Sequence, residues 1–318
     1  MAEQSPKPHL PTVAILGATG HLGQHITSAL LSPSTRPLFS QVVLLSRHQP
    51  SSPQLSQWQD PASATLRTYT ETNLAACLAG VDVLINAIGP SGHDFKDGLL
   101  RALPDSPVKL YLPSEFGVDH YVHDFPHPEW DHKRAHFALA RRLVPDVKIC
   151  RVFIGLFLED SVGPWFGFDT RRGWYESVGP KGTPVSFTAL GDVGRAVARL
   201  AGLKPKDVPE EVHIAGDTVS MAGIAEVMGE AGAGKIVVTE VDLGAFKKKT
   251  VEEGGTEDPS QYLRFLMGEG KIDHSDGGIG NDNELVNPGE KYWRWRTVSD
   301  LARETGGRPW EDAEWPPK

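Results

Sequence analysis

Short, continuous apolar runs alternate along this chain with segments of helical spacing. The first run, Val13-Ala14-Ile15-Leu16, has no polar residue in it. That is the pattern of a strand covered on both faces, as in a parallel sheet. It predicts a strand over 12–17, and the spacing of His25, Ile26, Ala29 and Leu30 carries a helix to about residue 31. The alternation then repeats. Strands are expected at 41–45, 66–69, 81–89, 108–112 and 147–153, with helices at 73–79, 94–103 and 131–143. Strands separated by helices imply right-handed crossovers and a parallel sheet.

Beyond residue 157 the pattern loosens. An amphipathic helix at 192–201 is expected to return to the first sheet, followed by strands at 212–216 and 236–241. Ser220 is placed to cap a helix over 221–228, and Lys247-Lys248-Lys249 opens another helical stretch, read as a solvated face. The Trp293–Trp295 region is expected to belong to a closing helix within 292–302. Residues 49–63, 252–260 and 273–290 read as loops, and 1–11 as a loose tail. Trp165, Phe166, Phe168, Trp174 and Tyr175, spaced by glycines, suit either a lid over a flat apolar ligand or ordinary core. The expected organisation is α/β: a doubly wound domain over 12–157, with a return near 186–216, and a smaller substrate lobe made mainly of 158–318.

The candidate chemistry begins where the first strand ends. Gly17, Gly20 and Gly23 are spaced G-x-x-G-x-x-G between a legible strand and a legible helix. Gly17 suits a tight turn, Gly20 lets the backbone approach a pyrophosphate, and Gly23 lets the helix pack close to the strand. N–H groups at the helix start supply an anion site. At the end of the second strand stands Arg47 rather than an acid. A guanidinium suits a ribose 2′-phosphate, whereas a carboxylate would accept the 2′-hydroxyl, so NADP(H) is preferred over NAD.

Bulk properties narrow the picture. At 318 residues the chain can bury a full core, and its net charge of −9 gives no footprint for nucleic acid or an anionic membrane. No run of about 18 apolar residues is present, so no membrane span is expected. Cys77 and Cys150 lie in apolar contexts without metal-type spacing, and the polar first residues lack a signal-peptide core. A reducing, cytoplasmic setting is expected. His120, His123 and His127 lack the spacing of a zinc pair on a helix, so no metal is assigned.

Several pieces occur together in a recognisable order. They are Gly17-Ala18-Thr19-Gly20-His21-Leu22-Gly23, Arg47, Leu112-Pro113-Ser114-Glu115-Phe116-Gly117, Lys133 and Phe153-Ile154-Gly155-Leu156-Phe157. With them the chain resembles the NmrA-like, isoflavone-reductase-like group of atypical short-chain dehydrogenases, which includes phenylcoumaran benzylic ether reductases. The resemblance covers about residues 12–160 and implies a Rossmann-type sheet. It implies that Thr19, Gly20, His21 and Leu22 cradle the pyrophosphate and that Arg47 holds the 2′-phosphate. Ala87, Ile88 and Gly89 would pass beside the cofactor, Phe116 and Phe153 would lie near the nicotinamide, and Ser114 would bond cofactor, substrate or its own turn. Lys133 would be the catalytic proton-transfer residue and would also touch the nicotinamide ribose.

The implied activity is NADPH-dependent reduction of a small aromatic or conjugated natural product. A redox-neutral isomerase or cyclase, and a non-catalytic NADP(H)-sensing regulator, remain open beside it. Two residues depart from the expected patterns. Glu129 stands where a Tyr-x-x-x-Lys motif would place tyrosine, and Arg151 stands where the family commonly has asparagine.

Overall fold

Thr12–Leu16 forms β1, and Val13 through Leu16 are entirely covered, as their unbroken apolar run requires. It pairs in parallel with β2 (Gln41–Ser46) on one side and β4 (Val83–Asn86) on the other, so that Ala14 stands opposite both Val43 and Leu84. With β3 (Ala64–Thr68), β5 (Leu110–Leu112) and β6 (Lys148–Ile149) the sheet has six parallel strands in the order β3-β2-β1-β4-β5-β6. The order reverses between β1 and β4, and crevices for ligands open beyond the carboxyl ends of strands at such a reversal.

The computed structural model describes residues 10–47, 58, 64–70, 72–89, 92–123, 125–253 and 258–312. The tail expected over 1–11 and the loop expected over 49–63 fall mostly outside them. The chain forms two compact units. The first is Met1–Ser114, Ala135–Arg151 and Gly194–Glu210; the second is Glu115–Arg134, Val152–Val193 and Glu211–Lys318.

In the first unit, Leu16, Val43, Leu84, Leu99, Leu100, Tyr111 and Ile149 belong to one buried cluster of the sheet and its helices. The returning segment closes on the helix Gly23–Leu30. A Cβ at Gly194 would sit 2.5 Å from the carbonyl oxygen of His25, so only glycine permits that approach. The sixth strand expected over 147–153 is in fact two. Lys148–Ile149 stays with β5, the chain breaks at Cys150, and β7 (Arg151–Phe153) pairs instead with β12 (Glu211–His213). Ile149, Cys150, Val152 and Phe153 are equally covered on either side of the break, so hydrophobicity could not reveal it.

The second unit has two three-stranded sheets. One orders β13 (Asp217–Ser220), β11 (Pro184–Thr188) and β8 (Leu156–Phe157). The other orders β14 (Val237–Val241), β10 (Trp174–Val178) and β9 (Phe168–Asp169). Phe166, Phe168 and Tyr175 lie in the core of this unit, while Trp174, one residue before Tyr175 on the pleat, is exposed. Ser220 caps the helix Met221–Met228, its Oγ accepting the Gly223 N–H at 3.2 Å. The closing helix is shorter than expected and runs over Val298–Thr305. Thr297 and Asp300 form a capping box that starts it only there, leaving both tryptophans ahead of the helix. Among the described residues no helix is long and apolar enough to cross a membrane.

Candidate functional site

At the carboxyl end of β1 the chain turns at Gly17, whose φ of +79° is open to glycine at little cost. A Cβ there would also stand 2.7 Å from the carbonyl oxygen of Ala87. The Gly20 N–H donates to the Gly17 carbonyl at 2.9 Å and closes the turn. A Cβ at Gly23 would collide with that same carbonyl oxygen, so the first residue of the helix can sit against the turn only as glycine. Beside this turn opens a cavity of about 300 Å³. Gly17, Thr19 and Gly20 line one side, Ala87, Ile88 and Gly89 another, and Arg47 stands at its rim with an exposed side chain. Gly23 supports the turn from beneath; His21 and Leu22 belong to the turn without lining the cavity.

Ser114 acts on the cavity through the backbone. Its hydroxyl donates to the Ile88 carbonyl at 2.8 Å and so fixes the loop after β4. From the other side, Asn86 Oδ1 accepts the Ile88 N–H at 3.1 Å.

The remaining expected residues lie in the second unit. Lys133 is on the helix Pro128–Leu143. Its Nζ donates to the Glu115 carbonyl at 2.9 Å and lies 3.5 Å from Glu129 Oε1. Phe116 is buried with φ +25°, a conformation uncommon for a bulky residue and one that costs on the order of 1–3 kcal/mol. The bend leaves Gly117 bridged to Phe153, with the Ile154 N–H donating to the Gly117 carbonyl at 2.9 Å. Strain of this kind collects at functional sites.

A family model described as the NmrA-like family matches residues 10–276. The chain belongs to the NmrA-like family. A curated relative from Gibberella moniliformis, an "NmrA-like family domain-containing oxidoreductase", is 28% identical over 279 residues, covering 81% of this chain and 88% of the relative. Among solved structures, the leucoanthocyanidin reductase–NADPH complex of Vitis vinifera superposes with a TM-score of 0.70 at 18% identity, covering 93% of this NmrA-like chain and 100% of that one. A protein solved with NADP+ and (+)-pinoresinol gives a TM-score of 0.74 at 16% identity, covering 93% and 99%. At such identities the likeness shows the fold.

The NmrA-like chain also brings to the cavity residues that the sequence did not single out. Tyr69 and Phe95 line it and pack with ring centroids 5.0 Å apart. Burial pushes the Tyr69 phenol up, and the Arg47 charge opposes that shift. Tyr69 directly follows β3, and only the register of a parallel sheet places that position beside the ends of β1 and β2. Behind the cavity wall, the fully buried Asn86 donates from Nδ2 to the Tyr111 hydroxyl at 3.1 Å. The Tyr111 hydroxyl in turn lies 2.9 Å from His136 Nε2, within hydrogen-bond distance.

The His-rich loop is built into an aromatic cluster of the second unit. His123 stacks on Phe125 at 4.3 Å and 11°, and His127 packs against Trp130 and Tyr262. His120 is buried with Nδ1 3.7 Å from Glu115 Oε2; burial, then the Lys133 and Arg134 charges, push it down to about 2. Arg151, the departure from the family pattern, is buried with its guanidinium 4.1 Å from the centroid of the Phe137 ring, and its backbone N–H donates to Glu210 at 2.8 Å. Its guanidinium thus packs on an aromatic ring within the first unit.

Proposed function

We propose that this NmrA-like protein is an oxidoreductase that uses NADPH to reduce a small aromatic or conjugated compound. The carrying observation is the cavity beside β1, where the glycine turn and Arg47 meet. The turn offers backbone to a pyrophosphate, and Arg47 offers a planar cation to a 2′-phosphate. The oxidoreductase name of the fungal relative, and the NADPH and NADP+ of the solved structures, support the reading. We assign the coenzyme to the first unit and the substrate to the second.

When bound, NADP(H) supplies hydride. Thr19, Gly20, His21, Leu22 and Arg47 would hold its phosphates. Lys133 would be the proton-transfer residue. Its ammonium has three donors, of which the Glu115 carbonyl takes one and the Glu129 carboxylate attracts another. The third remains for a reacting oxygen. Calorimetric titration should show NADPH binding well ahead of NADH, and a panel of phenolic ethers, enones and quinones should include compounds that consume NADPH one for one. Absence of coenzyme binding would end the proposal. Turnover without NADPH consumption would move it to isomerase or cyclase chemistry.

A further inference from the structure

The wall of the cavity beside β1 holds a phenol whose hydroxyl makes no hydrogen bond to another described residue, that of Tyr69. Tyr69 is the residue after β3. Its backbone N–H donates to the Ser46 carbonyl at 2.9 Å, which carries the parallel ladder beyond its last paired residues. The register sets Leu45 opposite Arg67 and Ser46 opposite Thr68, so its next step brings Tyr69 beside Arg47. Both residues line the cavity, and both belong to the first unit.

The ring of Tyr69 is core. It belongs to the buried cluster of the sheet with Leu45 and Leu74, and only 5% of the residue is exposed. Phe95, on the helix His93–Ala102, packs against it with 31° between the ring planes. A phenylalanine would fill such a place without a polar atom to desolvate. The hydroxyl is not sealed in the core with the orphaned nitrogens of His123 and His127; it keeps contact with the cavity that Tyr69 lines. Its partner is then an acceptor that enters the cavity. The lining narrows what that acceptor can be. No carboxylate stands among the described residues of the wall, and Arg47 brings a cation to it. Burial pushes the phenol up and the Arg47 charge opposes the shift, so the group keeps its proton near neutral pH and lies within electrostatic reach of the guanidinium. A protonated phenol and a guanidinium together suit an anion that only accepts.

We propose that Tyr69 is a specificity-determining residue of the coenzyme site, its hydroxyl donating to the ribose 2′-phosphate together with Arg47. This rests on the NADPH reading above. A hydrogen bond to an ionised acceptor is roughly twice as strong as one to a neutral acceptor. The same hydroxyl therefore contributes more to NADPH than to NADH, which presents a neutral 2′-hydroxyl there. Packing by Phe95 holds the ring in place before the ligand arrives, so little side-chain freedom is lost on binding. A contact to the adenine would act alike on both coenzymes, and that difference makes the assignment testable.

The test reads binding rather than turnover, on the full-length protein. Calorimetry with NADPH, NADH, adenosine 2′,5′-bisphosphate and 5′-AMP compares wild type with Tyr69→Phe, which keeps the ring and removes only the hydroxyl. NADPH and the bisphosphate should each bind at least about tenfold more weakly to the variant, while NADH and 5′-AMP change by less than about twofold. Thermal unfolding should find the ligand-free variant at least as stable as wild type, since the hydroxyl has no partner among the described residues to lose. Phosphorus NMR should show the 2′ resonance of the bound bisphosphate displaced in the variant and the 5′ resonance unmoved. A loss of less than about twofold for NADPH would overturn the assignment. So would equal losses for the phosphorylated and unphosphorylated ligands, which would give the hydroxyl to the base or the ribose, and so would a variant clearly less stable than wild type, which would give it to the fold. In each of these cases wild-type NADPH binding still stands and only the role of Tyr69 is refuted. If wild type binds neither NADPH nor the bisphosphate, the coenzyme reading itself fails and the assignment falls with it.

Discussion

Lys133 and Glu129 face each other one helical turn apart, with Nζ 3.5 Å from Oε1, and the same Nζ donates to the Glu115 carbonyl. The lysine is thus tethered to the strained segment that carries Phe116. Glu129 occupies the place of the tyrosine in the familiar Tyr-x-x-x-Lys arrangement, and its carboxylate lies beside the amine. Lys133→Ala should lower kcat by roughly 10²–10⁴-fold, the range for loss of a positioned proton donor, with NADPH affinity changed only a few-fold. Glu129→Gln should cost far less, because the Glu115 contact survives. Steady-state kinetics beside calorimetric coenzyme titration decides both, and a Lys133→Ala enzyme of near-normal kcat would remove the lysine from the chemistry.

Arg47 lines the cavity at the end of β2 with an exposed side chain. Charge-assisted hydrogen bonds contribute about 1.5–3 kcal/mol, so Arg47→Ala should weaken NADPH by about 10- to 150-fold. NADH, which lacks the 2′-phosphate, should bind as before. Parallel titrations with the two coenzymes read this directly, and an equal loss for both would show that the arginine does not discriminate.

Gly23 tolerates no side chain. Gly23→Ala must push the helix Gly23–Leu30 away from the Gly17 carbonyl. Overpacking of this kind costs about 1–3 kcal/mol, and the displaced turn should lose most coenzyme affinity. Thermal unfolding and NADPH titration of the variant measure the two effects together. Retention of both would mean that the turn yields more easily than its contacts imply.

Acid should unfold the protein early. His274 and His123 remain neutral in the fold to about pH 4 and His120 to about 2, while in an unfolded chain these rings gain protons below about 6.5. Between those limits the unfolded state binds more protons, so stability is complete above about pH 6.5 and falls as pH falls. Each ring adds up to about 1.4 kcal/mol per pH unit to that slope. His123→Phe removes a titrating ring whose nitrogens have no partner among the described residues and leaves it stacked on Phe125. Urea unfolding at several pH values should show the variant at least as stable at pH 7.5, with a shallower acid slope by about one proton. An unchanged slope would mean that His123 takes up a proton in the folded state.

Sequence reading succeeded where the signal is local. The apolar run of β1, the glycine that must adopt a positive φ, and the arginine at the end of β2 are each written within a few residues. Ser220 was likewise visible as a cap. It missed what depends on distant partners. Tyr69 comes beside Arg47 only through the register of two strands, and Asn86 reaches Tyr111 across 25 positions. The break at Cys150 was hidden because both of its sides are equally buried. The two tryptophans suggested a helix, but the Thr297–Asp300 capping box overrode them. Arg151 departs from the family pattern, and its packing on Phe137 could not be foreseen from spacing.

The first unit draws its last piece from Gly194–Glu210, more than forty residues after Arg151. During synthesis the ribosome must therefore finish part of the second unit before the helix Gly23–Leu30 receives the glycine that seats against His25. The nascent coenzyme fold waits with one apolar flank bare, and chaperones have a defined window in which to hold it. A chain truncated near residue 157 should accordingly aggregate rather than survive as an independent nucleotide-binding fragment.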